Sequence, residues 1–291
     1  MSDQIRHDLN EALQEKAGEV TDPGGRTVRV LADVEALELS RRFGCGVSIV
    51  YRESLRSGIC PHRYLRNRES ISIDEQLRLA RSRVAVIGAG GLGGHVIHLL
   101  ARIGIGQLAV VDCDVFDETN LNRQIFCTSD SLGKPKALVA AQLLGSINPG
   151  VEVIPHELRI EESNLPGILA GVDVVVDGLD NIQDRLVLER SARNLKIPLV
   201  HGAIAGFDGQ LMTVFPDDRG LIAVYGPVER GGKDQRSPEA VMGVPALMPC
   251  LVATFQAMEV LKILLGRGTL LRNTLLHVGL DAGEVNRFPL G

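Results

Sequence analysis

Residues 83–87 (RVAVI) are a short apolar run that ends directly in Gly88-Ala89-Gly90-Gly91-Leu92-Gly93-Gly94. Beyond this stretch Val96, Leu99, Leu100 and Ile103 recur at i, i+3, i+4 and i+7, the spacing of one helix face. Residues 107–112 (QLAVVD) make a second apolar run. A strand, a glycine turn, a helix and a second strand within about 30 residues form a parallel crossover, which is right-handed. No other feature narrows the fold as far, because a parallel pair needs helices packed on the sheet around it.

The alternation continues downstream. The spacing predicts a helix over 134–147, closed by Asn148-Pro149, and a strand over 151–155. A helix over 165–170 follows, with Ser163 or Asn164 as its cap, then a buried strand over 172–177 (VDVVVD), a helix over 182–195 and a strand starting at 198–201. Residues 210–215 follow with no helix between, so this strand is expected to run antiparallel. A loop rich in Gly, Pro and charge is expected over 216–243, a buried helix over 245–265 and a last strand over 274–281. Upstream, 1–80 is charge-dense, with a turn at TDPGG, a strand at 26–32 and helices over 33–43 and 46–57. The expected fold is α/β: a doubly wound, Rossmann-like, mainly parallel sheet with antiparallel C-terminal strands, plus a small N-terminal extension. The expected division is 1–60 for that extension and 61–291 for the nucleotide-binding domain.

Composition removes several function classes. Apolar residues are 45% of the chain, enough to fill a core and too many for a disordered one. A net charge of −5, with aromatics at 3% and no Trp, argues against a nucleic-acid binder. The five cysteines (Cys45, Cys60, Cys113, Cys127 and Cys250) contain no CxxC pair, which argues against a disulfide framework or a sulfur-rich zinc site. The first residues are charged, with no apolar signal core. The apolar stretch 240–258 carries Pro245, Pro249, Thr254 and Gln256 and runs into Glu259 and Lys262, which favours a buried helix over a membrane span. The expectation is a soluble cytoplasmic protein.

The glycine motif has a chemical reading. Gly88 permits the turn, Gly90 lets a phosphate approach, and Gly93 lets the helix pack on the strand. The helix start then offers free N–H groups to an anion. Asp112 lies 19 residues after Gly93, at a strand end, where it can bind ribose hydroxyls. These features fit NAD, FAD, S-adenosylmethionine or ATP alike. The next residues separate them. Asp114 and Asn120-Leu121-Asn122-Arg123-Gln124 follow the second strand, Lys136 opens the next helix, and Asp180-Asn181 and Arg185 follow the strand 172–177. Strand ends of a doubly wound sheet converge on one crevice. A nicotinamide site has no need of two cations and an extra carboxylate beside the phosphates, whereas a site that breaks a triphosphate does. Singly, Arg123 and Lys136 read as solvated charges and Asp180 as a helix cap; jointly, at three strand ends, they read as a site.

At these residues the chain resembles the ThiF/MoeB/HesA family, bacterial relatives of ubiquitin-activating enzymes. The resemblance runs from about residue 63 to 266, through RVAVIGAGGLGG, VVDCDVFDETNLNRQ, GKPKA, INP, DGLDNIQDR, AIAGFDGQLMTVF and QAMEVLKILLG. It implies an adenylyltransferase that uses ATP and Mg2+ to activate the C-terminal glycine carboxylate of a small ubiquitin-like carrier protein ending in Gly-Gly, acting as a homodimer. Carried over by motif, Gly88, Gly90, Gly91 and Gly93 would line the nucleotide pocket and Asp112 would hold the ribose, with Asp114 beside it. Asn120, Arg123 and Lys136 would contact phosphates, with Gln124 adjacent. Asp180 would bind magnesium next to Asn181 and Arg185. HRYLRN resembles the family's RYxRQ segment, so Arg66 would match the arginine that reaches the neighbouring subunit's site; Asn67 stands where the family carries glutamine.

Two departures follow. The positions of the family's two zinc-holding CxxC pairs fall near AVYGPV and DAGEVNRFPLG, which hold no cysteine, so no zinc is expected. The loop ERGGKDQRSPEAVMGV also lacks the cysteine that thioester- or persulfide-forming members use. Cys250 on its apolar helix reads as a buried core residue, and Cys113 and Cys127 have no base placed by spacing. Adenylation without an enzyme-bound thioester is expected. Alternatives left open are an NAD-dependent oxidoreductase on the same fold, adenylation of a non-protein carboxylate, and a non-catalytic partner-binding relative.

Overall fold

The computed structural model describes residues 3–226 and 238–290. Residues group into two compact units, one of Met1–Ser82 with Ala101–Gln107 and Leu144–Glu152, the other of Arg83–Leu100, Leu108–Leu143 and Val153–Gly291. Position 60, where the sequence suggested a boundary, falls inside the first unit.

In the first unit, helix α1 (Asp3–Lys16) buries Leu9, Ala12 and Leu13. Strands β1 (Gly18–Thr21) and β2 (Thr27–Leu31) pair antiparallel across the TDPGG turn. Helix α2 (Asp33–Phe43) stops at Gly44, whose φ of 60° suits glycine. Helix α3 (Val47–Arg56) follows, and β3 (Cys60–Pro61) joins β2 in parallel. A 3-10 turn spans His62–Asn67, and α4 (Ile73–Arg81) starts on a capping box: Ser72 Oγ accepts the Glu75 N–H, and the Glu75 carboxylate accepts the Ser72 N–H. The strand and two helices expected here are present. Helices α1 and α4 and strand β1 add to them; α1 is mostly polar, with three buried residues in fourteen, so its apolar period is faint. The HRYLRN and INP segments meet in this unit, where Asn148 Nδ2 donates to Tyr64 Oη at 2.8 Å and to the Ala101 carbonyl at 2.7 Å.

The rest of the chain alternates strand and helix: β4 (Arg83–Ile87), α5 (Gly91–Ile103), β5 (Gln107–Val111), α6 (Lys136–Ile147), β6 (Glu152–His156), α7 (Leu165–Ile168), β7 (Val174–Asp177), α8 (Ile182–Asn194) and β8 (Leu199–Ala205). Strands β9 (Asp208–Val214), β10 (Thr274–Gly279) and β11 (Glu284–Pro289) and helices α9 (Ile222–Tyr225), α10 (Pro238–Met242) and α11 (Leu247–Leu265) complete it. The sheet order is β11-β10-β9-β8-β7-β4-β5-β6. β7 pairs in parallel with β4 and β8, and β8 to β11 are joined antiparallel. This is the doubly wound, Rossmann-like architecture expected. The chain runs outward from β4 through β5 to β6, then returns to β7 on the other side, so the topological switch lies between β4 and β7.

Three local expectations, and the single-residue reading of Asp180 as a helix cap, need correction. The helix expected over 165–170 is a single turn, and Asn164 does not cap it: its Oδ1 accepts the Glu161 N–H instead. The helix after β7 is capped by Asn181, whose side chain accepts the Asp184 N–H at 2.8 Å, and not by Asp180. β10 is followed by a further strand, β11, exposed at all six residues and therefore without a buried apolar face to announce it. Of the loop expected over 216–243, residues 227–237 lie outside the described residues, and its flanks carry α9 and α10. Helix α11 has the length and apolarity of a membrane span, at mean hydropathy 1.5, yet half of it is buried and it packs across β7, β8 and β9.

Candidate active site

The carboxyl ends of β4, β5 and β7 open into a cavity of about 550 Å³. At its floor the backbones of three glycines touch. A Cβ on Gly88, whose φ is 93°, would stand 2.5 Å from the Gly178 carbonyl oxygen; one on Gly93 would overlap the Gly88 carbonyl oxygen. Glycine is thus required by close packing of the loop, the helix start and the β7 end. Gly88, Gly90 and Gly91 line the cavity, and Gly93 lies behind them as the packing contact.

Asp112, just past β5, faces the cavity. Its carboxylate accepts N–H bonds from Ala89 (2.7 Å) and Asp114 (2.8 Å), so it also braces the glycine loop. Burial pushes its pKa up against those two hydrogen bonds. Lys136, at the start of α6, has 8% of its side chain exposed, and its Nζ lies 3.0 Å from Asp114 Oδ2. Arg123 packs its side chain beside Gly91 and donates to Asn122 Oδ1 and the Thr119 carbonyl. Gln124 is buried beside Gly90, and its Oε1 has no hydrogen-bond partner. Asp180 is exposed at the cavity, with a 3.4 Å contact from Asn181 Nδ2. Lys136, Arg123, Gln124, Asp112, Asp114, Asp180, Asn181 and Arg185 therefore converge as their positions at strand ends suggested.

Two residues stand apart. Asn120 does not line the cavity; it is buried behind it, its Oδ1 accepting the Asp117 N–H at 3.1 Å. Arg66 belongs to the other unit, where it is exposed on the 3-10 turn. The sequence reading also missed three wall residues. Arg159, beyond β6, pairs with Asp184 of α8 at 3.2 Å, and Glu239 of α10 approaches Arg185 at 3.8 Å. No motif marks Arg159 or Glu239, which only tertiary packing brings to the cavity; Asp184 stands inside DGLDNIQDR, one residue before Arg185, and could have been found there.

Arg185 differs from the other cations. It is 4% exposed, and its partners hold it in the wall: it donates to the Leu179 carbonyl (2.6 Å) and to Tyr225 Oη (3.0 Å). Burial opposes its charge, but Asp177, Tyr225 and Glu239 hold it protonated.

The cysteines also need correction at one point. Cys250 is exposed, and its Sγ lies 3.3 Å from His95 Nε2 and 3.8 Å from Nδ1. A sulfur on the lone-pair axis of either nitrogen would stand much farther from the other, so this contact is against the ring and is not a thiol aimed at a base. Burial pushes the Cys250 thiol pKa up, away from thiolate. Cys113 is exposed at the cavity and Cys127 is buried. Among the described residues no group of three or more His, Cys, Asp or Glu is arranged to hold a metal by itself.

The geometry fits a nucleoside triphosphate. The glycine turn and α5 N-terminus suit phosphate, Lys136 and Arg123 supply positive charge, and the unpartnered Gln124 oxygen accepts a donor from a ligand. Asp180, with its carboxylate open to the cavity, suits a magnesium ion shared with phosphate oxygens.

Comparison with known proteins agrees. The sequence profile of the ThiF family matches residues 64–290. The chain is 42% identical over 209 residues to the SAMP-activating enzyme E1 of Haloferax volcanii, covering 72% of this chain and 76% of that protein. It is 39% identical over 214 residues to a sulfur carrier protein adenylyltransferase of Thermus thermophilus (71% and 78%), and 33% over 202 residues to the sulfur carrier protein ThiS adenylyltransferase of Escherichia coli (68% and 78%). In fold it is similar to the microcin C7 biosynthetic enzyme MccB in complex with N-formylated MccA, at TM-score 0.66 and 20% identity over 88% of this chain and 83% of that one. It is also similar to PaaA, at TM-score 0.64 and 18% identity over 83% and 82%.

Proposed function

The chain belongs to the ThiF family, and from that premise we propose that it adenylates the C-terminal carboxylate of a small ubiquitin-like sulfur carrier protein at the cavity described above. The observation that carries this reading is the convergence of Lys136, Arg123 and Asp180 on one glycine loop, two cations and a carboxylate where a triphosphate is cleaved.

The reaction needs little acid–base chemistry. A glycine carboxylate is ionised at pH 7, so it attacks the α-phosphorus without a general base. One P–O bond forms to the carboxylate, the bond to the bridging oxygen breaks, and pyrophosphate leaves with the electron pair. Lys136 and Arg123 are placed to neutralise charge on that leaving group, and Asp112 to hold the ribose. Magnesium, when bound at Asp180, would offset phosphate charge and fix the in-line geometry. The remaining work is positioning by the glycine loop and the α5 N-terminus. Arg66 is assigned to complete the neighbouring site in a homodimer. No zinc role is assigned.

Thermal unfolding with Mg·ATP, with NAD and with neither tests the reading before the carrier is known. A rise with ATP that shrinks when magnesium is chelated supports it; a rise with NAD alone would overturn it in favour of the oxidoreductase. Carrier-dependent exchange of pyrophosphate into ATP, requiring a partner that ends in Gly-Gly, then identifies the acyl acceptor.

A further inference from the structure

Behind the cavity wall lies a buried polar network that the reaction chemistry leaves unexplained. Asp177, the last residue of β7, and His201 of β8 are both fully buried. Asp177 Oδ1 accepts the Leu179 N–H at 2.9 Å, and its Oδ2 lies 2.7 Å from His201 Nδ1. His201 Nε2 lies 3.0 Å from Tyr225 Oη. That hydroxyl oxygen receives two further donors, Arg185 Nη1 at 3.0 Å and Gln210 Nε2 at 3.3 Å.

With the Gln210 carboxamide nitrogen turned towards Tyr225, the donor count assigns the protons. Arginine and a carboxamide nitrogen only donate. With both lone pairs of Tyr225 Oη occupied by them, its own hydrogen must point to His201 Nε2. Nε2 is then the acceptor, the imidazole is neutral, and its single proton sits on Nδ1, donated to Asp177 Oδ2. Burial favours the same neutral form.

The network reaches the cavity wall at Leu179 and Arg185. Leu179 is held at its N–H by Asp177 and at its carbonyl by Arg185, and Asp180 follows directly. We infer that His201 is a positioning residue: through Asp177, with Tyr225 behind it, it sets the Leu179 peptide and so aims the Asp180 carboxylate into the cavity. This rests on the reading of Asp180 as the magnesium ligand. Groups that orient a metal ligand from behind cost about 10- to 100-fold in metal affinity when removed.

Two substitutions divide the imidazole into its halves. His201→Asn retains a donor at the position of Nδ1, towards Asp177. His201→Gln reaches Tyr225 and removes the imidazole donor from Asp177 Oδ2, which keeps the 3.5 Å ion pair with Arg185 Nε. The experiment is calorimetric titration of the full chain with ATP, once with magnesium and once with EDTA, alongside thermal unfolding. The quantity read is the ratio of the two dissociation constants. In His201→Gln the advantage given by magnesium is expected to fall about tenfold while binding in EDTA is held; His201→Asn should keep most of it. Tyr225→Phe, which deletes only a hydroxyl, should give an intermediate loss and carries the test if His201→Gln does not fold. Equal weakening with and without magnesium in Tyr225→Phe and His201→Gln would show a merely structural network and overturn the inference. So would unchanged ratios in both. If the wild-type chain itself gains nothing from magnesium, it is the assignment of Asp180 that fails.

Discussion

Little of the Lys136 side chain reaches water, and its Nζ faces the exposed carboxylate of Asp114. Burying a cation there is costly unless a second anion arrives, which supports the phosphate contact proposed for it. Lys136→Ala and Arg123→Ala are expected to lower adenylation turnover by about 100- to 1,000-fold while ATP affinity changes far less, because pyrophosphate charge develops in the transition state. Turnover and nucleotide binding measured on the same preparations check this; equal losses would mean simple ground-state binding. His201 makes a second prediction. Its pKa in the folded chain lies below the ordinary 6.5, since burial outweighs the Asp177 bond. The unfolded chain therefore takes up a proton that the folded one refuses. This contribution to stability is complete above pH 6.5 and is lost as pH falls below it. His95, also depressed by burial, acts in the same direction. Asp33, held below 3.8 by Arg63 and Tyr51 despite burial, acts only further down. Denaturant unfolding on both sides of that pH should show the decline, and His201→Asn should flatten it. At this scale the sequence was legible wherever a residue follows a strand end within a motif, as Arg123, Lys136 and Asp180 do. It was silent on Arg159 and Glu239, which reach the wall by packing, and on His201, whose role exists only once β7 and β8 lie side by side.

Elements show the same division. β4, β5 and β7 were readable because each is a short run of three or four apolar residues with a single polar residue at one end, as suits a strand buried on both faces. β11 was not, because a strand with no buried face carries no pattern. α4 was missed although its start is written plainly as Ser72-x-x-Glu75, a capping box that could have been found. Ser72→Ala is expected to destabilise the chain by about 1 kcal/mol through the lost cap, seen as a lower unfolding midpoint with ATP binding intact. At the junction of β4, α5 and β7 the tolerance is smaller. Gly178→Ala would press a methyl onto Gly93 Cα and the Gly88 carbonyl, at 2.9 and 3.0 Å. A loss of about 1–3 kcal/mol together with weaker nucleotide binding is expected, the two measured by chemical unfolding and by titration.

For the whole molecule the order of the strands matters more than any one of them. Because the chain leaves β4 in one direction and resumes at β7 in the other, segments separated by some ninety positions, such as Gly88 and Asp180, share one crevice. Of the cysteines, Cys113 lines that crevice but is given no role in the reaction, and a chain with all five replaced is expected to retain adenylation; its loss would assign one of them to the first chemical step. The proposed exchange of Arg66 between subunits has its own test. Arg66→Ala and Lys136→Ala chains, each inactive alone, should recover about a quarter of wild-type activity when mixed equally, since half the dimers then hold one intact site. No recovery in dimers shown to have exchanged would remove Arg66 from the neighbouring site.

The fixed proton arrangement behind the wall also gives this fold a built-in spectroscopic reporter. The His201 Nδ1 proton is sealed from solvent and shared with a carboxylate at 2.7 Å. It should escape exchange with water long enough to appear as a single resonance downfield of the amide envelope in a one-dimensional proton spectrum. Magnesium or nucleotide arriving at Asp180 would move that line without any isotope label, so occupancy of the site could be followed in unmodified protein.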